Sequence, residues 1–220
     1  MPLLSLNPDE LLSTTRAVRR RLDLTRKVDR KVVQECISAA QQAPTGGNRQ
    51  GWHFVIVTDP TLRMELGKLF RKGAEGYFAS SRSAGGSKSG NQKYDAIQAR
   101  VRLSALYLVE HIHQVPVHVI PCIEGRTNNS SSVSVVTQAS KWGSIFPAVW
   151  SFMLAARARG LGTTLTSFHL AFEKEAAELL GIPYKEVMQA PLIPLAYTKG
   201  TNFHPAPRKN LDSMVHWERW

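Results

Sequence analysis

The 220-residue chain holds only two cysteines, Cys36 and Cys122, and no apolar run long enough to cross a bilayer. Cys36 falls in an apolar helical stripe and Cys122 in an apolar strand, so both read as small buried hydrophobes rather than as a disulfide. The opening "MPLLSLNPDELL" has no basic segment before its apolar residues and soon turns acidic. That argues against a cleaved signal peptide and makes the cytoplasm the expected location. Acidic groups are scarce: 17 Asp and Glu stand against 28 Lys and Arg, a net charge of +11. Residues 15–31, "TRAVRRRLDLTRKVDRK", carry eight Lys/Arg and two Asp. Such a stretch suits a nucleic acid or one bound phosphate. It has no interleaved aromatic residue and no familiar nucleic-acid motif, so the nucleic-acid reading ranks last.

Conventional catalytic groups are missing too. No serine sits in a nucleophile elbow, and neither cysteine has a sequence-level activating partner. His111 and His113, two apart, do not share a helix face, and no carboxylate completes a metal spacing. They and His118 read as helix-end or surface histidines, with no metal expected. "GLGTTL" at 160–165 lacks the third glycine of a dinucleotide fingerprint and lies between a helix and a strand, so it reads as a helix cap. "GGSKSG" at 85–90 matches a phosphate loop in composition only. An enzyme with this sequence needs a cofactor to carry its chemistry, and no catalytic side chain is assigned.

What is present is a regular α+β pattern. "NPDELL" starts a helix with Asn7 as N-cap and Glu10 in the capping-box position, expected to run toward Val18 with Leu11, Leu12 and Thr15 inward. Asp29 caps a helix through Ala40, and "HFVIVTD" is a strand. Asp59 then starts a helix to about Lys72. Residues 79–93 read as a mobile surface loop. A helix over 95–112, a strand at "VHVIPCIEG" and a polar stretch over 126–140 follow. "KWGSIFPAVWSFMLAARARGLG" at 141–162 is a helix apolar on nearly every side, closed by Gly160, which implies burial all round and a subunit interface. "TTLTSF" reads as a strand, "EKEAAELLG" as a helix and "APLIPLAYTKG" as a strand. No repeat or linker divides residues 1–220, which read as one domain with 201–220 as a C-terminal arm.

The loop "APTGGNRQGWHF", residues 43–54, is poor core material. Asn48 and Gln50 on its glycine-rich turn both donate and accept, and match the amide-like edge of a planar heterocycle, while the arginines of 16–21 suit a phosphate at its other end. Either motif alone reads equally well as a polar turn or a solvated helix end.

Together these segments resemble the FMN-dependent nitroreductase family. "TTRAVRRRL" is similar to its Arg-Arg-Ser-x-Arg signature and "APTGGNRQGWHFVIV" to its Ala-Pro-Ser-x-x-Asn-x-Gln-Pro-Trp loop. "FMLAARARGLGTTLTS" resembles its core helix and following turn, "LLGIPYKEVMQAPLIPLAYTKG" its late helix and strand, and "PRKNLDSMVHW" its tail. The likeness spans about 14–217, apart from 73–98 and 126–140.

That resemblance implies a nitroreductase-like α/β sandwich: a central mixed, mostly antiparallel sheet flanked by helices, in an intertwined homodimer with FMN at the interface. It assigns Arg16 and Arg19 to the FMN phosphate, ribityl chain or pyrimidine edge, with Ala17 in the signature's serine position. Asn48 and Gln50 fall to the flavin edge, Leu165, Thr166 and Ser167 to the ring, and Arg208 with Lys209 to the phosphate. Thr15, Ala17 and Gly51 depart from the family pattern, and Arg20 or Arg21 stand in as spare phosphate ligands. The implied activity is hydride transfer from NAD(P)H through flavin N5 to a small electron-poor acceptor such as a nitroaromatic or quinone, without membrane or nucleic-acid partners. Residues 73–98 and 126–140 are expected to govern acceptor choice, with Tyr77, Phe78 and Tyr94 as stacking candidates. An FMN-storing or sensing protein, or an oxidase, dehalogenase or flavin-consuming branch, remains open.

Overall fold

Asn7 accepts a hydrogen bond from the Glu10 N–H while the Glu10 carboxylate accepts one from the Asn7 N–H, a closed capping box that starts helix α1 (Pro8–Thr14). In this computed structural model, which describes residues 3–80, 88–128 and 134–220, α1 ends well short of Val18. The Thr14 and Thr15 hydroxyls turn back to the carbonyls of Glu10 and Leu11, both at 2.6 Å. The chain then leaves the helix, because Ala17 bridges Thr163 and the Val18 N–H donates to the Thr163 carbonyl. Thr15 is buried as expected, but Leu12 is exposed.

Asp29 caps α2 (Arg30–Ala40), whose Val32, Val33, Cys36 and Ala40 are buried at helical spacing. A 3-10 turn, Gly46–Asn48, leads into β1 (Trp52–Val57). Asp59 and Pro60 then start α3 (Pro60–Ala79). This helix passes the expected end near Lys72 because its last turn carries Tyr77 and Phe78 onto Phe168, with ring centroids 5.3 and 5.8 Å apart. The expected loop over 79–93 falls partly outside the described residues, and Asn91 already caps α4 (Gln92–His111).

Strand β2 (Val117–Glu124) is central: it pairs antiparallel with β1 on one side and with β4 (Val187–Gln189) and β5 (Ile193–Tyr197) on the other. Pro121 falls between its β5 and β4 partners, so its missing donor breaks neither ladder. The path runs β1-β2-β5-β3, with β3 (Leu161–Thr163) at the far edge from β1. All named strand pairs are antiparallel, and parallel contacts occur at the isolated bridges Ala17 to Thr163 and Gly125 to Val187. The strand expected at "TTLTSF" is displaced: β3 precedes it, and a 3-10 turn, Phe168–Phe172, takes over its end. β4 was not foreseen, being three residues long.

Side chains alternate across the sheet and build a core on each face. Val119, Ile123, Ile193 and Leu195 meet α2 and α5 (Val135–Ala158) on one side, with Cys36, Val149 and Phe152. Ile120, Cys122, Leu192 and Ala196 meet α3, α4 and α6 (Glu173–Leu180) on the other, with Leu66, Phe70 and Leu108. Both cysteines are buried free thiols, pushed up to about 11 and about 12 by desolvation. α5 begins before the expected Lys141, because Ser134 caps it within the stretch read as polar. Gly160 closes it at φ 73°. α5 is not covered all round within one chain: Trp150 is 42% exposed. His118 corrects the surface expectation. It sits on β2 with no exposure, and its Nε2 bonds the Ile112 carbonyl at 2.7 Å. Arg126 binds Glu173 at 2.5 Å and the Tyr184 and Val187 carbonyls, tying the end of β2 to α6.

Candidate functional site

The basic run and the turn after β3 meet at the β3 edge, where Ala17 and Val18 join Thr163. Two cavities open there, and Arg19 lines both. The first, about 280 Å³, is bounded by Arg16, Ala17, Arg19, Arg20 and Arg21, with Ser104 and Phe203 opposite. Arg16 gives one donor to the His204 carbonyl, and Arg21 gives two to the Lys199 and Asn202 carbonyls. Arg19 and Arg20 make no hydrogen bond among the described residues, so they are the donors left for a ligand. Arg21 and Arg157 both lie against the Phe203 ring, at 4.1 and 4.9 Å. Arg157 is buried with Nε and Nη1 unpartnered, and burial together with Arg21 lowers its pKa. No carboxylate lines the cavity among the described residues. So many guanidiniums without an acid repel one another and favour an anion such as a phosphate.

The second cavity, about 290 Å³, carries Leu165, Thr166 and Ser167 on one side and Tyr77 and Phe78 on another. Val101, Ala105 and Leu108, one face of α4, complete it. The Thr166 N–H is occupied by the Leu192 carbonyl at 3.0 Å, whereas those of Leu165 and Ser167 reach no acceptor among the described residues. They are the donors available to a heteroatom in the cavity. Burial lowers the pKa of Arg19, which lines both cavities.

Behind the turn, His169 is fully buried with both ring nitrogens unpartnered, and the His118 Nδ1 is unpartnered too. Desolvation lowers His169 to about 3 and His118 to about 4. No sequence feature marks this pair, because their burial arises only when the 168–172 turn packs on α3 and α6.

Other expected residues lie elsewhere. Asn48 and Gln50 are exposed on the turn before β1, at the opposite sheet edge from β3. Three strand spacings, roughly 14 Å, therefore separate them from the arginine cavities within one chain. Both hold positive φ, 51° and 50°, and Gln50 Nε2 donates to Asn48 Oδ1 at 2.9 Å. Left-handed backbone at two non-glycine residues is strain of the kind found at binding loops. The turn rests on α5, where the Gly46 N–H donates to Ser144 Oγ at 3.2 Å. Arg208 and Lys209 are exposed and line neither cavity, and Tyr94 stands exposed on the first turn of α4. A larger cavity of about 540 Å³ lies against His53, Glu124 and Glu186. Among the described residues its lining includes no lysine or arginine and none of the expected residues, and its carboxylates make it a poor seat for a phosphate.

A family model described as the nitroreductase family matches residues 12–194. An Archaeoglobus fulgidus protein with the provisional name NADH dehydrogenase/NAD(P)H nitroreductase is 21% identical over 214 residues, covering 96% of this chain and 97% of that protein. Among solved structures, an iodotyrosine deiodinase bound to FMN and 3-iodo-L-tyrosine superposes with a TM-score of 0.70 at 18% identity, covering 96% of this chain and 98% of that one. Nitroreductase A from Vibrio parahaemolyticus gives 0.67 at 17% identity, over 98% and 77%. At these identities the two structures attest the fold.

Proposed function

Because the chain belongs to the nitroreductase family, we propose that it is an FMN-dependent oxidoreductase working as a homodimer. The observation that carries this reading is the pair of neighbouring cavities at the β3 edge that share Arg19, one lined by further arginines and the other by the Leu165–Ser167 turn with its N–H donors. That donor set fits a phosphate joined to a planar heterocycle. FMN held there would supply hydride chemistry, taking a hydride from NAD(P)H and passing it on, with a solvent proton, to a nitroaromatic, quinone or similar acceptor.

The chain's own residues then have distinct tasks. Arg16 and Arg20 bind the phosphate, and Ala17 lies against the ribityl chain. Arg19 stands at the pyrimidine edge, where positive charge stabilises an anionic reduced ring. The N–H of Leu165 or Ser167 donates at N5, and Thr166 packs against the ring. Asn48 and Gln50 reach the flavin from the second subunit, which follows from their place at the opposite sheet edge. Residues 1–220 form one domain, with 201–220 as the arm that embraces the partner and brings Arg208 and Lys209 to the phosphate. In this reading no side chain need act as acid or base.

The test is an absorbance spectrum of the purified protein, followed anaerobically on adding NADH and then NADPH. Flavin bands that bleach are the expected result and identify the donor. Bound flavin that never bleaches supports an FMN-storing or sensing protein instead, and a protein isolated without flavin overturns the reading.

A further inference from the structure

Phe203 is the aromatic residue in the lining of the arginine cavity, and its ring packs on the core that holds Val18 and Leu22. The Arg21 guanidinium lies 4.1 Å from the ring centroid and the Arg157 guanidinium 4.9 Å. Arg21 is held in place by the Lys199 and Asn202 carbonyls, at 3.0 and 2.8 Å, on the same segment as the ring. Arg157 donates through Nη2 to the Thr201 carbonyl at 3.1 Å and to the Thr14 hydroxyl at 3.3 Å. Its Nε and Nη1 have no hydrogen-bond partner, and neither guanidinium has an ion-pair partner among the described residues. A buried cation without a carboxylate is costly, and Arg21 adds repulsion to Arg157. The electron-rich face of Phe203 is what offsets that cost for both.

We propose that Phe203 is a positioning residue for the phosphate: its ring holds Arg21 and Arg157 as a reserve of positive charge at the cavity, and that reserve makes the cavity select a phosphate dianion over an uncharged ligand end. The inference rests on the flavin reading above, in which Arg16 and Arg20 make the direct contacts. Charge held in a poorly solvated wall acts on an anion at range and in proportion to the anion's own charge. It is therefore felt by a phosphorylated flavin and not by one lacking the phosphate. A leucine would keep an apolar side chain at the wall but offer no π face to either guanidinium.

The experiment titrates FMN and riboflavin, which differ by the phosphate alone, into the full chain freed of flavin by dialysis. Flavin fluorescence gives dissociation constants for wild type, Phe203→Leu, Phe203→Trp and Arg157→Met, after urea unfolding has shown each to be folded. Phe203→Leu is expected to weaken FMN about ten-fold, the scale of a desolvated cation–π contact, and to leave riboflavin unchanged. Phe203→Trp should restore FMN to the wild-type affinity. Arg157→Met should weaken FMN alone, and should add little to Phe203→Leu in the double variant, because the two act through one contact. Equal loss of both flavins in Phe203→Leu marks a ring that only pins the chain, and it overturns the proposal, as does an unchanged FMN affinity. If Phe203→Leu does not fold, Arg157→Met decides, and an unchanged preference for FMN there overturns the proposal. A wild-type protein that binds neither flavin is a failure of the underlying reading, seen before any variant is compared.

Discussion

Gly73 lies on the face of α3 that meets the Phe168 backbone, and a Cβ there would overlap the Phe168 carbonyl. Because that carbonyl follows directly on Leu165–Ser167, a single methyl acts on the site without touching a ligand. Gly73→Ala is expected to cost about 1–3 kcal/mol through overpacking and to weaken flavin binding by shifting the turn. Urea unfolding and flavin titration check the two effects, and an unchanged flavin affinity would disconnect the turn from the site. Gly76, on the same helix, has open space at its Cβ position and is the matching control.

At the scale of elements, the β2 strand and the 168–172 turn are held together around two buried neutral imidazoles, His118 and His169. Other charged groups acting on them are Arg63 and His113, which face His118 and oppose its protonation further. Their folded pKa values of about 4 and about 3 lie below the ordinary 6.5, so the unfolded chain binds protons first as pH falls. The stability they contribute is whole above pH 6.5 and is lost as pH falls toward about 3. At pH 5 the loss should be roughly 2 kcal/mol for each imidazole. Urea unfolding at pH 7.5 and pH 5 measures it, and His169→Leu should flatten the slope; a slope unchanged in that variant would assign the acid sensitivity elsewhere. The same elements show what a sequence can carry. The caps at Asn7, Asp29 and Asp59 and the stop at Gly160 act within a few residues, so they were readable. The ends of α1 and α3 were not, because Ala17 leaves for a strand and Tyr77 continues toward Phe168, both decided by residues far along the chain. The arginine run was visible as charge, yet which guanidiniums are spent on the 199–204 backbone and which stay available depended on tertiary contacts.

Over the whole molecule, the expected flavin contacts fall at opposite edges of one sheet, a separation no reading of motifs in sequence could reveal. The proposal that two copies complete the site can be tested by complementation. Arg19→Ala and Asn48→Ala should each lose flavin on their own. Unfolding and reassembling an equal mixture should restore about one quarter of the sites, since half the dimers are mixed and each of those has one intact site. Flavin absorbance of the mixture reads this directly; no recovery would place the whole site within one chain. The second cavity has a consequence of another kind. Its proposed cofactor side comes from Arg19 and the 165–167 turn, whereas its other side comes from α3 and α4, neighbours in the chain. On the proposed reading, reactivity and taste for substrate are written in separate passages of the sequence, and evolution, or an engineer, can redraft the second while the first is left standing.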